Sequence, residues 1–231
     1  MKSIRTLALV TGLLALSGVS QAQFSSTWTA VSDYDFRGFT QSAKDPALQA
    51  SADYAFGDSG FAVGAWASNV DFGPANDADI ELDLYANYTG KINDTFAITG
   101  GGTYYTYPSS DDTKDYLEIY VGLNAGNFSA KQWYADQLYG GDLSAWYTEA
   151  NYTQPIGEKM SLAFHAGYAW GDAWEDIETF DYAVQFNYTA GHFTLFGKFT
   201  GTDGDLEIKT DENNNEARFL IGASTTFPWG K

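Results

Sequence analysis

Asp79–Thr89 reads DIELDLYANYT, and this stretch decides the fold. Its even-numbered residues are apolar or aromatic, whereas its odd-numbered residues are acidic or polar. Because side chains alternate between the two faces of a β-strand, the stretch predicts a strand with one apolar and one wet face. The apolar face contains Ile80, Leu82, Leu84, Ala86 and Tyr88, and the wet face contains Asp79, Glu81, Asp83, Tyr85, Asn87 and Thr89.

The same alternation recurs along the chain. It is clear at Met160–Trp170 and Thr179–Thr189 and weaker in nine further segments. Twelve strands of about ten residues predict an all-β, antiparallel up-and-down transmembrane β-barrel, because a closed sheet leaves no unpaired edge in lipid. The weaker segments are Thr27–Tyr34, Ala47–Phe56, Phe61–Val70, Thr95–Tyr107, Tyr116–Asn124, Phe128–Ala135, Ala145–Thr153, Phe193–Gly201 and Ala217–Trp229.

The connections between these segments alternate in length. The even connections are short, as at Ala125–Asn127, whereas the odd ones are longer and more acidic, as at Phe36–Pro46. Outer-membrane barrels have short periplasmic turns and longer outer loops. The alternation therefore favours a membrane barrel over a sheet with irregular connections.

The N-terminus has the pattern of a secretory signal peptide. Lys2 and Arg5 precede an apolar stretch at Leu7–Leu16, and small residues follow up to Ala22. A stop-transfer anchor is the alternative, but the stretch is shorter than the roughly 20 residues that span a bilayer as a helix. We expect cleavage after Ala22, with residues 1–22 as the signal peptide and residues 23–231 as a single outer-membrane β-barrel domain.

Composition narrows the classes of protein that remain. The chain has a formal net charge of −18, which repels nucleic acid. Its hydrophobic content of 44% is too high for a disordered acidic chain. It contains no cysteine, so neither disulfides nor thiolate metal sites support the fold. A secreted β-sandwich or lectin-like domain remains the soluble alternative.

Aromatic residues recur at fixed places in the predicted strands. Tyr and Trp suit the interface between lipid and water, and ordinary strand propensity of Tyr is the alternative. The repeats Asn87-Tyr88-Thr89, Asn151-Tyr152-Thr153 and Asn187-Tyr188-Thr189 each precede a short turn. The predicted periplasmic belt contains Tyr54, Tyr88, Tyr152 and Tyr188, and the predicted outer rim contains Tyr34, Tyr104, Trp146, Tyr168, Trp170 and Tyr182.

Ser32–Phe56 (SDYDFRGFTQSAKDPALQASADYAF), Gly64–Gly73 (GAWASNVDFG) and Asp79–Gly90 (DIELDLYANYTG) together carry a family resemblance. The chain resembles the TorF family of proteobacterial porins. The resemblance implies an outer-membrane barrel with a channel role and supplies no catalytic or cofactor residues. One departure is the end of the chain, where Gly230 and Lys231 follow Trp229 instead of a terminal aromatic residue that the assembly machinery reads.

If the apolar face meets lipid, the wet face lines the interior. A negative interior focuses cations and disfavours anions, so we expect cation preference if the barrel conducts. The alternative is that these groups hydrogen-bond one another and fill the interior. The candidate lining residues are Asp53, Glu81, Asp83, Glu118, Glu149, Asp181, Lys198 and Arg218, with Lys131 as a further candidate.

Few residues suit catalysis or metal binding. His165 shares a strand face with Ser161, but about 13 Å separates residues four apart on a strand, and His192 lies at a short turn. The acidic connection Thr202–Glu216 suits loose binding of divalent ions, yet Glu216 stands where a calcium loop needs Gly. We therefore predict no catalytic residue, no cofactor and no specific metal site.

These patterns predict a porin in the outer membrane of a Gram-negative bacterium that allows passive passage of small hydrophilic solutes. The alternative is a non-conducting structural or surface-binding barrel, with an outer-membrane lipid hydrolase as the third hypothesis. The expected partners are membrane lipid and lipopolysaccharide, small hydrophilic solutes and the barrel assembly machinery, and no nucleic acid.

Overall fold

The computed structural model describes residues 23–73, 77–111, 115–175, 179–203 and 216–229. The predicted signal peptide at residues 1–22 and most of the acidic connection at 202–216 lie outside these ranges. Among the described residues, no helix is long and apolar enough to cross a membrane.

Fourteen strands and three short 3₁₀ turns make up the described secondary structure. The 3₁₀ turns are Gly57–Ser59, Leu138–Gly140 and Asp172–Trp174. The strands are β1 (Gln23–Val31), β2 (Asp35–Phe36), β3 (Phe39–Thr40), β4 (Ala47–Ala55), β5 (Phe61–Asn69), β6 (Ile80–Lys91), β7 (Phe96–Thr106), β8 (Tyr116–Ala125), β9 (Phe128–Ala135), β10 (Ala145–Ile156), β11 (Met160–Trp170), β12 (Thr179–Ala190), β13 (Phe193–Thr202) and β14 (Arg218–Phe227).

Twelve of these strands form one closed antiparallel barrel, and this confirms the predicted fold. Each barrel strand pairs with the next barrel strand along the chain, so that β1 pairs with β4, and β1 also pairs with β14 to close the sheet, with Trp28 opposite Thr225. Closure satisfies the backbone groups that an open edge would expose. The remaining strands, β2 and β3, form a small separate hairpin between β1 and β4.

The outer surface of the barrel is apolar. On β6, Ile80 and Leu84 are about half exposed, while the intervening Glu81 and Asp83 are buried. On β8, Leu117, Ile119 and Val121 are likewise exposed. Period-two alternation thus places apolar side chains outside and polar side chains inside, as a barrel in lipid requires and opposite to a soluble sheet.

The two ends of the barrel differ. We call the end with the described residues 32–46, 70–73, 77–79, 107–111, 115, 136–144, 171–175, 203 and 216–217 the loop end, and the other end the turn end. Buried apolar residues gather at the loop end, among them Tyr105, Tyr107, Tyr116 and Leu138. This apolar cluster narrows the barrel at that end.

The first connection, residues 32–46 and called loop 1 here, does not lie over the surface. Tyr34 is 8% exposed and its hydroxyl donates to Glu81 Oε1 at 3.2 Å. The prediction that Tyr34 lies at the outer rim is therefore wrong. β1 ends at Val31, so strand alternation no longer governs the side chains that follow.

Candidate functional site

The interior of the barrel holds the ionisable side chains, and the structure puts all eight sequence-predicted lining residues there. Asp53 is partly exposed, and its carboxylate accepts hydrogen bonds from Tyr85 and Ser51. Lys198 is 22% exposed and Arg218 10%. The other five are nearly fully buried: Glu81, Asp83, Glu118, Glu149 and Asp181.

Loop 1 adds three charged residues that the sequence did not assign to the interior. Arg37 Nη1 and Nη2 donate to Glu118 Oε1 and Oε2 at 2.9 and 2.6 Å. A bidentate pair of this kind is among the stronger side-chain interactions in proteins. It joins the tip of loop 1 to β8 on the barrel wall.

Asp33 and Asp35 form the second ionic contact of loop 1. Arg218 Nε donates to Asp33 Oδ2 and Arg218 Nη2 to Asp35 Oδ1, both at 2.5 Å. Lys198 Nζ donates to Asp35 Oδ2 at 2.6 Å. Burial alone would raise the pKa of Asp35, but the charges of Lys198 and Arg218 outweigh burial and hold this pKa below its usual value.

A network of polar side chains surrounds His165 in the interior of the barrel. His165 Nε2 lies 2.8 Å from Asp181 Oδ1, and the Tyr147 hydroxyl donates to Asp181 Oδ2 at 3.0 Å. His165 Nδ1 lies 2.7 Å from Asn151 Oδ1. His165 thus has cross-strand partners on β10 and β12, and in the part of the chain that the structure describes these partners are Tyr147, Asn151 and Asp181 and not a serine hydroxyl.

Lys131 occupies the wall next to this network. Its Nζ lies 4.7 Å from the ring centre of Tyr120 and 5.0 Å from that of Trp133, which are cation–π distances. The Trp133 indole N–H donates to Glu149 Oε1 at 2.8 Å. Lys131, the further candidate from the sequence, is therefore buried in the interior.

The interior has more acidic than basic side chains. Glu81 and Asp83 have no basic partner within salt-bridge distance, and Asp83 Oδ1 is buried without a hydrogen-bond partner among the described residues. The described interior acids are Asp33, Asp35, Asp53, Glu81, Asp83, Glu118, Glu149 and Asp181, and the bases are Arg37, Lys131, Lys198 and Arg218. The formal charge of this set is negative.

The predicted belt residues lie on the outer surface near the turn end. Tyr54, Tyr88, Tyr152 and Tyr188 are each about 40% exposed. Tyr54 contacts Phe56, and Tyr88 contacts Phe61, with ring centres 4.9 and 4.7 Å apart. At the same end, the exposed ring of His192 stacks on Trp229 at 4.9 Å.

Sequence reasoning missed Asp33, Asp35 and Arg37 because it assigned this segment to the end of a strand and an outer loop. The only local signal was the density of large residues in SDYDFRGF, where Tyr34 and Phe36 alternate with the three charges. An exposed outer loop has little reason to carry two aromatic residues so close together. Among the described residues, no group of acidic and histidine side chains has the arrangement of a metal site.

The fold and this interior define a twelve-stranded antiparallel barrel with an apolar outer surface and ionisable side chains inside. The chain belongs to the Gcw_chp family, described as bacterial protein of unknown function, whose model matches residues 15–227. The matching family does not carry the TorF name, so that name stays a resemblance. A search of curated proteins found no match.

Several solved porins have a similar fold. The NanC porin gives a TM-score of 0.60 at 13% identity, covering 88% of this chain and 99% of that chain. The KdgM porin gives 0.59 at 11% identity with the same coverage. A KdgM porin in complex with disordered oligogalacturonate gives 0.57 at 10% identity, covering 89% of this chain and 99% of that chain. At these identities the likeness concerns the fold.

Proposed function

We propose that this protein is an outer-membrane porin that allows passive passage of small hydrophilic solutes and prefers cations. The observation that carries the proposal is the contrast between the apolar outer surface and the ionisable interior, with Leu84 and Val121 outside and Asp83 and Glu118 inside. A barrel that is wet inside and apolar outside offers polar solutes a path through lipid. The TorF resemblance and the similar porins support the same function.

The sign of the preference follows from the interior charges. Arg37, Lys198 and Arg218 are each paired with an acid, whereas the partly exposed Asp53 has no basic partner among the described residues. Unpaired acids attract cations and repel anions.

The alternative is a non-conducting barrel with a structural or surface-binding role. It is favoured by the apolar cluster at the loop end, where Tyr105, Tyr107 and Tyr116 are almost completely buried. Lipopolysaccharide at the outer rim and the barrel assembly machinery remain proposed partners under both functions. Lipid hydrolysis is the third hypothesis, and lipase activity that is lost in His165→Ala would support it.

The test is a recording from refolded protein in planar bilayers with a KCl gradient. A channel gives discrete conductance steps. A cation-preferring channel gives a reversal potential with the same sign as the equilibrium potential of K⁺. Anion preference would contradict the proposed selectivity. Absence of conductance in protein with heat-modifiable gel migration would instead favour the non-conducting barrel.

A further inference from the structure

Loop 1 crosses the inside of the barrel. Arg37 contacts Glu118 on β8, whereas Asp35, two residues earlier, contacts Lys198 on β13. In the order of the closed sheet, β8 and β13 are five strands apart on one side and seven on the other, so they stand nearly opposite each other. Two neighbouring positions of one loop are therefore fixed to opposite walls.

Contacts with other strands fix loop 1 from the side. The Tyr34 ring lies 5.3 Å from that of Trp66 on β5, and the Phe36 ring lies 6.1 Å from that of Tyr105 on β7. The Arg37 guanidinium lies 4.0 Å from the ring centre of Tyr147 on β10. Loop 1 thus touches the wall around most of its circumference.

The width of the barrel shows how much space this leaves. Twelve strands about 4.8 Å apart and tilted by about 40° enclose a cylinder of about 24 Å between opposite backbones. Wall side chains such as Glu118 and Lys198 extend inward from both sides and meet the hairpin of β2 and β3 between them. The hairpin therefore occupies part of the interior between these two walls.

The backbone of loop 1 is held in an unfavourable shape at its tip. Arg37 and Gly38 both have positive φ, at 52° and 84°, as the two central residues of a tight hairpin turn. Ala43 and Lys44 in the same loop also have positive φ. Each such non-glycine residue costs about 1–2 kcal/mol, and strain of this kind concentrates at functional sites.

We propose that loop 1 forms the constriction of the channel and that Arg37 at its tip determines the width and charge of the opening. This inference rests on the proposed channel function. Arg37 is one of the two residues at the tip, and 13% of its side chain is exposed. Its pair with Glu118 makes the narrowest point neutral, so a passing ion meets a balanced pair there instead of a bare acid.

The test uses Arg37→Cys, because the chain has no cysteine of its own. Removal of the guanidinium opens the constriction and exposes Glu118, so we expect conductance to rise about twofold and cation preference to increase. A cationic methanethiosulfonate reagent then places a charge back at position 37 and is expected to reverse both changes. An anionic reagent of similar size is expected to lower conductance but keep the increased cation preference.

Ser224→Cys is the matched control, since Ser224 lies on the inner face of β14 away from loop 1. Its modification is expected to change current and selectivity much less than modification at position 37. Equal effects at the two positions would overturn the assignment of the constriction to Arg37.

A second variant separates width from charge and avoids an unpaired buried acid, which destabilises proteins. Arg37→Met combined with Glu118→Gln removes the ion pair without changing the net charge. We expect this variant to conduct more than the wild type with the same ion selectivity. If the wild type does not conduct, we expect the variant to conduct. Wild-type conductance in this variant and in Arg37→Cys would reject the constriction, whereas silence of all three proteins in folded form would reject the channel itself.

Discussion

Arg37 and Glu118 are 81 residues apart in sequence, yet two parallel hydrogen bonds of 2.9 and 2.6 Å join them inside the barrel. On the other side of the same hairpin, Asp35 is held by Lys198 and Arg218. The first loop is therefore part of the interior, and its position depends on the ionisation of buried groups.

Asp35→Asn is expected to destabilise the folded barrel by about 3 kcal/mol at neutral pH, because Lys198 and Arg218 lose their shared carboxylate. The pKa of Asp35 is lowered in the folded protein, so its contribution is complete above the usual value of 3.8 and is lost as the pH falls through the lowered pKa. The difference in the free energy of unfolding between Asp35→Asn and the wild type should therefore be constant between pH 7 and pH 5 and should decrease below pH 3.8. Urea unfolding in lipid vesicles at each pH measures it.

The control for this prediction is Asp58→Asn, the same substitution at an exposed position of a short turn. It should leave the urea midpoint nearly unchanged. A difference between Asp35→Asn and wild type that persists undiminished at low pH would show that the carboxylate charge is not what stabilises loop 1.

The barrel itself was predictable because its cause is local. Apolar and polar residues alternate with period two within the strands. The predicted bounds of Phe128–Ala135 and Met160–Trp170 match β9 and β11. The path of loop 1 was not predictable in this way, since Arg218 meets Asp33 across 185 residues of chain. No pattern within a short window shows which of many acids a distant arginine contacts.

Gly167→Ala is expected to disturb the polar network around His165. A methyl group at this position would overlap the Tyr147 hydroxyl and the Asp181 carboxylate, which hydrogen-bond each other. Overpacking of this kind costs about 1–3 kcal/mol, and thermal unfolding of the folded protein measures it. Gly100→Ala is the control, because the nearest atom to its added methyl group is 3.5 Å away. Similar stability of the two variants would contradict the close packing at Gly167.

Lysine substitutions on β14 test which face meets lipid. Ile221 is 59% exposed on the outer surface, whereas Ser224 points inward on the same strand. A lysine on a lipid-facing surface costs about 2–4 kcal/mol near the middle of the bilayer, so Ile221→Lys should lower folding yield and stability in vesicles, and Ser224→Lys should change them little. A stable Ile221→Lys protein that stays soluble without detergent would contradict a lipid-facing outer surface.

Asp53→Asn tests the contribution of an unpaired interior acid to selectivity. Asp53 accepts hydrogen bonds from the Tyr85 hydroxyl and from Ser51 at 2.8 Å, and no basic side chain of the described residues forms a salt bridge with it. Because the amide has the size of the carboxylate and its carbonyl oxygen still accepts one of the two hydrogen bonds, the substitution removes charge with little change in width. We expect a smaller cation reversal potential at nearly unchanged conductance, most clearly at low salt, where interior charges are least screened. Asp58→Asn removes the same charge from an exposed turn and should have a weaker effect. If both variants shift the potential equally, the selectivity arises from the overall charge of the protein and not from its interior.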